Sequence, residues 1–541
     1  MSTDITKKTV SRRDFLKGAA VVGVGIAASG ALAACGSSAS ASQKWDMETD
    51  VVVVGSGTVS NAALVATLAG LKVIVLEKAA NFGGTTAISG GGMWIPSNYV
   101  ELAAGVQDSK SDALNYLQAI SEGASTDELM NAYLDNGPVM LTYLRDKAGF
   151  NFQRSSPQSF ADYYPWAPGV HTAVGGRMVS ILRSDKVGAG AGLIKSIKEV
   201  LDAHNVQIML QTPGKRLVTD ATGAVLGIVA ESNGKEIAIK ANRGVILGTG
   251  GFDFNKDMRT AYLRGPISFS AAVPTDTGDG QIMGMAIGAD LRNLNSCWGL
   301  PGYVTQPDTF TAVDLDWQLY RGKPGSITVN KYGDRFMNEA CAYHPSLRAW
   351  FYYDTGKDEY RNLPSFALFD SGYTAHYPMP GASYKVGVVP DWFKKADNLG
   401  DLASALGIDP TGLAATVQTF NTNAANGVDP DWHRGEADFD QVTAGDKSRT
   451  DLKNPALAPL ATPPYYGANI WPGTCGTNGG LRTNGNAQVL NVWGNLIPGL
   501  YATGNTMASC MGAGYAGGGA TVGPGMVFAY LAVQHIISLK S

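Results

Sequence analysis

Four valines in a row, Val51 to Val54, follow the single acidic Asp50. A continuous apolar run bounded by glycine reads as a strand buried on both faces, the pattern of a parallel sheet. Runs of the same kind recur at Val73-Ile74-Val75-Leu76, at Val245-Ile246-Leu247 and at Leu500-Tyr501-Ala502. Between the first two lies an alanine-rich segment from Asn61 that reads as a helix. From Gln207 to Lys240 apolar residues alternate between turn signals such as Asp220-Ala221-Thr222-Gly223 and Asn233-Gly234, so a strand meander is expected. Ser125-Thr126-Asp127-Glu128 has the form of a capping box opening a helix with Leu129, Tyr133 and Leu134 on one side. Thr277-Gly278-Asp279-Gly280 begins a small-residue helix. From about Leu300 the texture changes: aromatics rise, and Val329 to Phe336 reads as a hairpin. No internal repeat is present.

The residues that end the buried runs carry the first chemistry. Gly55-Ser56-Gly57-Thr58-Val59-Ser60 follows the first strand. The first glycine permits the tight turn, and Gly57 lets a pyrophosphate approach the backbone at the helix start. Ser60 stands at the third position, where a small side chain serves helix–strand packing. The second strand ends in Glu77 and Lys78, and Glu77 stands 22 positions after Gly55, where a ribose hydroxyl partner belongs. Gly83-Gly84-Thr85-Thr86 and Ser89-Gly90-Gly91-Gly92 then supply two more backbone-donor turns. An NAD site does not need them; an extended flavin dinucleotide uses them. Gly250 and Gly251 end the third run, and Gly504 and Asn505 follow the fourth.

The chain has 541 residues, more than one core usually organises, so two domains are expected. Its net charge of −4, with no basic stripe beyond the N-terminus, gives nucleic-acid binding no electrostatic support. Ser11-Arg12-Arg13-Asp14-Phe15-Leu16-Lys17 precedes a small, apolar run from Gly18 to Ala34, the form of a twin-arginine export signal. That run is too short and too rich in Gly and Ala to span a membrane well. Leu32-Ala33-Ala34-Cys35 resembles a bacterial lipobox, which makes Cys35 a lipid-anchored first residue; cleavage after a nearby small residue is the alternative. Cys297, Cys341, Cys475 and Cys510 form no C-x-x-C pair, so no metal, cluster or haem site is expected. Buried free thiols are the expectation for them, and pairing stays open.

Together the glycine fragments resemble the FAD-binding fold of the fumarate reductase and 3-ketosteroid dehydrogenase superfamily. The implied fold class is α/β: a Rossmann-like FAD-binding domain with an inserted, α+β substrate-capping domain. The segments are an export signal over 1–34, a Ser/Ala tether over 35–44, the FAD-binding domain over 45–303 and 475–541, and the catalytic domain over 304–474. Acid-reducing members need cations for two carboxylates. The stretch from Gly504 to Gly525 has no Arg, Lys, His or Glu, which argues for a neutral substrate. Instead, Gly504-Asn505 followed by Tyr515-Ala516-Gly517-Gly518-Gly519 is similar to the Gly-Asn…Tyr-Pro-Gly-x-Gly pattern of the 3-ketosteroid Δ1-dehydrogenases, with Ala516 in place of Pro. The resemblance covers Trp45 to Ser541.

Two further elements carry over from that family. Phe160-Ala161-Asp162-Tyr163-Tyr164 resembles its Phe-x-Asp-Tyr-Tyr element, which implies that Phe160 and Tyr163 line the steroid site. Asn338-Glu339-Ala340-Cys341-Ala342-Tyr343 resembles its Asn-Glu-x-x-x-Tyr element, which implies that Tyr343 is the proton-abstracting base. Tyr515 O–H and Gly519 N–H are then the clamp for the ketone oxygen, with Tyr163 sharing or relaying the base's proton. A phenol with an ordinary pKa of about 10 has to be tuned downward for that role. His344 is unassigned by the pattern; adjacent residues point apart, so it reads as a surface or supporting group. The implied activity is FAD-dependent Δ1-dehydrogenation of a 3-ketosteroid or similar neutral enone, in either direction; reaction at another bond such as C4–C5, a fumarate-type reductase and a steroid-binding or electron-relay flavolipoprotein are the alternatives. Export separates the protein from cytoplasmic NADH, so the expected electron partner is a membrane quinone or an external redox carrier.

Overall fold

The computed structural model describes residues 43–154, 162–171, 176–304, 321–380 and 385–539. The export signal, Cys35 and Phe160 lie outside these residues. Strand β1 (Met47–Val54) carries the valine run, and Val51, Val52 and Val53 are completely buried. Each such side chain stabilises the fold by about 1.5–3 kcal/mol. Helix α1 (Ser60–Leu68) is buried along most of its length, which its alanines permit. Strand β2 (Val73–Leu76) lies parallel to β1, with Val51 opposite Val73 and Val54 opposite Leu76.

Helix α2 (Asp127–Ala148) is capped by Thr126, whose hydroxyl accepts from Leu129 N–H at 3.3 Å. The cap sits one residue later than a box starting at Ser125 requires. Glu128 is used elsewhere, accepting from Gly485 N–H at 2.8 Å. Strand β3 (Gln207–Met209) extends the parallel sheet beyond β2. The expected meander follows as β4 (Gly214–Thr219), β5 (Val225–Ser232) and β6 (Lys235–Leu247). Strand β6 then runs parallel beside β1.

Strand β7 (Cys297–Gly299) leads away from this sheet, and β8 (Ser326–Asn330) opens another. The hairpin expected at Val329 to Phe336 is a turn closed by one bridge, Val329 to Arg335. Short helix α3 (Tyr343–Leu347) follows. Strands β9 (Ser365–Asp370), β10 (Lys394–Ala396) and β11 (Tyr465–Ile470) complete an antiparallel sheet in the order β8–β9–β11–β10. Alternation along β9 feeds two cores. Phe366 and Leu368 pack with helices α4 (Leu399–Leu406) and α5 (Pro410–Ala425); Ala367 and Phe369 join an aromatic cluster with Trp350, Tyr373 and Phe393.

Strand β12 (Gly473–Thr477) pairs antiparallel with β7. Strands β13 (Gln488–Leu490) and β14 (Leu496–Ala502) complete the first sheet, ordered β13–β14–β6–β1–β2–β3. The C-terminal helix α6 (Val522–Ser538) packs on α1 and α2. From Trp45 onward the chain is one compact unit. The consequence for function is directional. Strands β14, β6, β1 and β2 are parallel neighbours, so their glycine and acid endings all emerge at one edge of the sheet. In open α/β sheets that edge is where ligands bind.

Three distant segments meet at the loop containing Ala513 and Ala516. Tyr163 N–H donates to the Ala516 carbonyl at 3.0 Å, and the Tyr116 hydroxyl donates to the same oxygen at 2.7 Å. The His344 Nε2 lies 3.0 Å from the Ala513 carbonyl, and Gly299 N–H donates to His344 Nδ1 at 3.0 Å. That pattern places the ring proton on Nε2. His344 is therefore buried and supporting, not a surface residue. Burial, aided by Arg348, pushes its pKa down to about 4. The unfolded chain takes up a proton near pH 6.5, so stability is full above that pH and is lost as pH falls toward 4. His344→Gln can keep both hydrogen bonds without titrating. Urea unfolding at pH 6.5 and near pH 4 should show a smaller stability loss for the variant than for the wild type; equal losses would remove His344 from the acid response.

Candidate active site

A long cavity follows the C-terminal edge of the parallel strands. Its lining includes Gly55, Ser56, Gly57, Glu77, Lys78, Gly84, Thr85, Thr86, Ser89, Gly250, Gly504 and Asn505. These are the residues that the glycine motifs single out, now contributed by four neighbouring strand ends. Ser60, Gly83 and Gly251 do not line it. Ser60 Oγ donates to the Gly57 carbonyl at 2.7 Å and holds the turn. A Cβ on Gly83 would lie 2.8 Å from Ile194, and one on Gly251 would lie 2.3 Å from Thr477, so these glycines serve packing. Thr58, inside the first glycine turn, and Asp276, Asp279 and Thr521, which were not expected at the cofactor site, also line the cavity.

The local chemistry fits a flavin dinucleotide. Gly55 has φ +104°, and a Cβ there would lie 2.2 Å from the Gly248 carbonyl oxygen, so only glycine closes this turn. A Cβ on Gly84 would meet nothing nearer than 3.8 Å, which leaves the backbone open to a ligand. Glu77 accepts from Ser56 Oγ at 2.5 Å and Ala79 N–H at 2.6 Å, and Ser56 Oγ accepts from Gly83 N–H at 2.7 Å. The carboxylate is thus aimed at the strand end, where a ribose diol would reach it. Lys78, the cation lining this cavity among the described residues, is paired with Asp279 at 2.9 Å. A pyrophosphate would therefore rely on backbone N–H groups and the start of α1. Burial, with Asp253 nearby, pushes the Asp276 carboxyl well above its usual range, and Asp276 accepts from Thr85 Oγ1 at 2.9 Å.

A second cavity of 330 Å³ abuts the first through Thr85, Ser89, Cys475, Thr521 and Val522. Tyr163, Tyr343, Tyr515, Gly91, Gly92 and Gly519 all line it. The three rings form one cluster: Tyr163 stacks on Tyr515 at 5.5 Å, and Tyr343 meets both edge-on at 5.1 and 5.4 Å. Gly519 has φ +89°, and a Cβ there would lie 2.5 Å from the Gly92 carbonyl, so the loop presses directly on the glycine turn. Tyr515, isolated among small residues in sequence, packs on aromatic rings from other segments, including Trp298 at 5.8 Å.

Residues outside the motifs hold this cluster. Arg177, almost completely buried, pairs with Asp162 at 2.8 Å and Asp108 at 2.7 Å. Asp162 also accepts from Trp94 Nε1 at 2.9 Å. Tyr163 is thereby fixed through its neighbour. Burial pushes Tyr163 and Tyr343 well above 10; both neighbouring phenols add to this at Tyr343, whereas at Tyr163 Tyr515 adds to it and the hydrogen bond with Tyr343 acts downward. The surroundings of Tyr343 thus oppose the downward tuning that a base requires. One group acts the other way. Arg321, buried and from a different segment, lines the same cavity. The Gly504 to Gly525 stretch lacks a countercharge, but the cavity as a whole does not.

Comparison with known proteins agrees with this geometry. A family model described as an FAD binding domain matches residues 50–522, and a twin-arginine translocation signal matches residues 9–29. A 3-oxosteroid 1-dehydrogenase of Mycobacterium tuberculosis is 36% identical over 90% of this chain and 98% of its own. A 4-oxocyclohexanecarboxylate 2-dehydrogenase of Sinomonas cyclohexanicum is 34% identical over 90% of this chain and 92% of its own. The crystal structure of 3-ketosteroid Δ1-dehydrogenase from Sterolibacterium denitrificans, in complex with 1,4-androstadiene-3,17-dione, superposes with a TM-score of 0.83 at 31% identity, covering 91% of this chain and all of that one. The chain carries an export signal and belongs to the FAD-binding-domain flavoproteins, within the 3-ketosteroid Δ1-dehydrogenase family.

Proposed function

We propose that the protein is an exported FAD-dependent 3-ketosteroid Δ1-dehydrogenase. The observation that carries this reading is the convergence of Tyr163, Tyr343 and Tyr515 on one cavity wall, next to the cavity that fits the dinucleotide. Removing hydrogens from adjacent carbons beside a ketone needs an oxygen clamp, a base and a hydride acceptor. Tyr515 O–H and Gly519 N–H hold the C3 oxygen as charge develops on it. Tyr343 takes the proton from C2, with Tyr163 beside it to share that proton. FAD, when bound, would supply the acceptor for the C1 hydride. The apolar part of the wall, with Ile88, Met178, Leu300 and Phe439, suits a ring skeleton without charge.

The segment 304–474 acts as the substrate-capping domain, its four-stranded sheet set apart from the parallel sheet by its own cores. Electrons pass to or from a membrane quinone or an external redox carrier, since export separates the site from cytoplasmic NADH. The lipobox-like Leu32-Ala33-Ala34-Cys35 supports a lipid anchor at Cys35. The same residues serve desaturation or its reversal, and the electron partner sets the direction. A cyclic keto acid is the second reading. Arg321 in the cavity wall favours it, and the Sinomonas relative is named for such a substrate.

The direct test is anaerobic addition of 4-androstene-3,17-dione to the FAD-loaded protein. Flavin absorbance should bleach and a 1,4-diene, two hydrogens lighter, should appear by mass. Failure to bleach, together with failure of the reduced flavin to reoxidise with the 1,4-diene, would remove the steroid reading; turnover of 4-oxocyclohexanecarboxylate instead would install the second. Tyr343→Phe should slow flavin reduction by roughly 10²-fold or more. Tyr515→Phe, which deletes one donor to the ketone oxygen, should slow it by about 10²–10³-fold. A loss below tenfold in the first variant would move the base to another residue.

A further inference from the structure

Arg321 is the one charged side chain among the described residues that line the tyrosine cavity. It belongs to none of the flavin or tyrosine motifs, yet it is 5% exposed. Its guanidinium donates to the Cys341 carbonyl oxygen and, at 3.2 Å, to Ser346 Oγ. Ser346 Oγ in turn donates to the Tyr343 carbonyl at 2.7 Å. These bonds bracket Tyr343, gripping the chain just before it and one turn after it. The cation is therefore held against the backbone on either side of Tyr343, and the Tyr163 and Tyr343 phenols both interact with its charge.

A phenol takes a proton from carbon only as phenolate. Burial and the crowding of three phenols oppose that form here. A guanidinium keeps its charge across the pH range in which proteins are folded, and its field is strongest where water is excluded.

We propose that Arg321 is a positioning residue for the reaction: its fixed positive charge faces the Tyr163–Tyr343 pair and stabilises the phenolate that accepts the C2 proton. The inference rests on the ketosteroid reading given above. In the step concerned the C2–H bond breaks. Its electron pair enters the enolate held by Tyr515 and Gly519, and its proton converts the Tyr343 phenolate to a phenol. The flavin, when bound, would supply the acceptor for the C1 hydride that leaves as the C1–C2 double bond forms, and the phenol returns its proton to solvent before the next turnover.

The other titratable groups around the pair leave room for this role. Tyr163, Tyr515 and Cys475 face the Tyr343 phenol. Cys341 and Asp440, besides the two phenols, face Arg321. Burial pushes the Cys341 thiol up to about 12 and the Cys475 thiol higher still, so both remain neutral. Asp440 accepts from Asn338 Nδ2 at 2.8 Å and Gly435 N–H at 3.0 Å, and burial raises its carboxyl above the usual range. It is thus engaged by groups of its own rather than dedicated to Arg321.

The test is the pH profile of kcat for a neutral ketosteroid, measured on the FAD-loaded wild type, Arg321→Lys and Arg321→Met. A neutral substrate removes carboxylate binding from the comparison. The wild-type rate should rise with pH to a plateau. In Arg321→Met the rise should move to higher pH by about one pH unit or more, a roughly tenfold loss near neutral pH that is recovered on the plateau. Arg321→Lys should move less, and KM should stay within about threefold of wild type in both. Superimposed profiles, or a loss of equal size at every pH, would overturn the proposal. Should Arg321→Met fail to fold, the Lys variant carries the test through ultraviolet phenolate titration of the loaded enzyme, where an onset equal to wild type counts against the proposal. A wild type inert to ketosteroids would defeat the functional reading instead, and the phenolate titration, which needs no substrate, would still decide the role of Arg321.

Discussion

Two backbone carbonyls, those of Ala513 and Ala516, fix where the segments carrying the tyrosine cluster sit. Each receives donors from segments far away in the chain: His344 reaches the first, and Tyr163 and Tyr116 reach the second. A backbone carbonyl has no rotamer to sample, so groups tied to it inherit the rigidity of the loop. The loop itself is pinned by its glycines. Gly512 has φ +60°, and a Cβ there would lie 2.5 Å from the Ser121 carbonyl; one on Gly514 would lie 2.7 Å from Ile120. The small residues let the loop press on Ile120 and Ser121, and the pressed loop presents its carbonyls to the tyrosine segments.

The same economy of side chains operates at the sheet edge. Parallel pairing of β14, β6, β1 and β2 brings four strand ends into register, and small residues there leave backbone rather than side chains facing the cavity. Glu77 is an exception, and it is held by Ser56, which also receives the Gly83 N–H. One hydroxyl therefore joins the first turn, the acid and the second glycine loop. The two cavities share five lining residues, so a ligand extended along the sheet edge ends beside the tyrosines.

Electrostatics in the interior is costly and used sparingly. Arg177 lies with Asp108 and Asp162 out of reach of solvent, an arrangement that loses about 3–5 kcal/mol if one partner is removed. Its return is the placement of the segment that carries Tyr163. Around the cavity, Arg321 apart, the titratable groups among the described residues are three phenols and the Cys475 thiol, for which burial favours the neutral form. Such a wall accepts an apolar ring system and concentrates the effect of any single charge placed in it.

The local pattern along the chain determined the buried parallel strands, their glycine turns, the meander and the acid at position 77, because each follows from strand burial, turn sterics or dinucleotide spacing within a few residues. Family resemblance added the tyrosines, each recognised by its own short motif. The sequence misjudged what depends on neighbours from elsewhere. The cap of α2 falls on Thr126, and Glu128 accepts from Gly485 N–H, a neighbour 357 positions away, instead of closing a capping box. Gly83 and Gly251 pack against side chains instead of lining the cavity. His344 is buried, and Arg321 enters the cavity from a segment with no motif. Local sequence fixes backbone geometry, whereas burial and electrostatic environment are sums over contacts between distant segments; only the tertiary structure decided those.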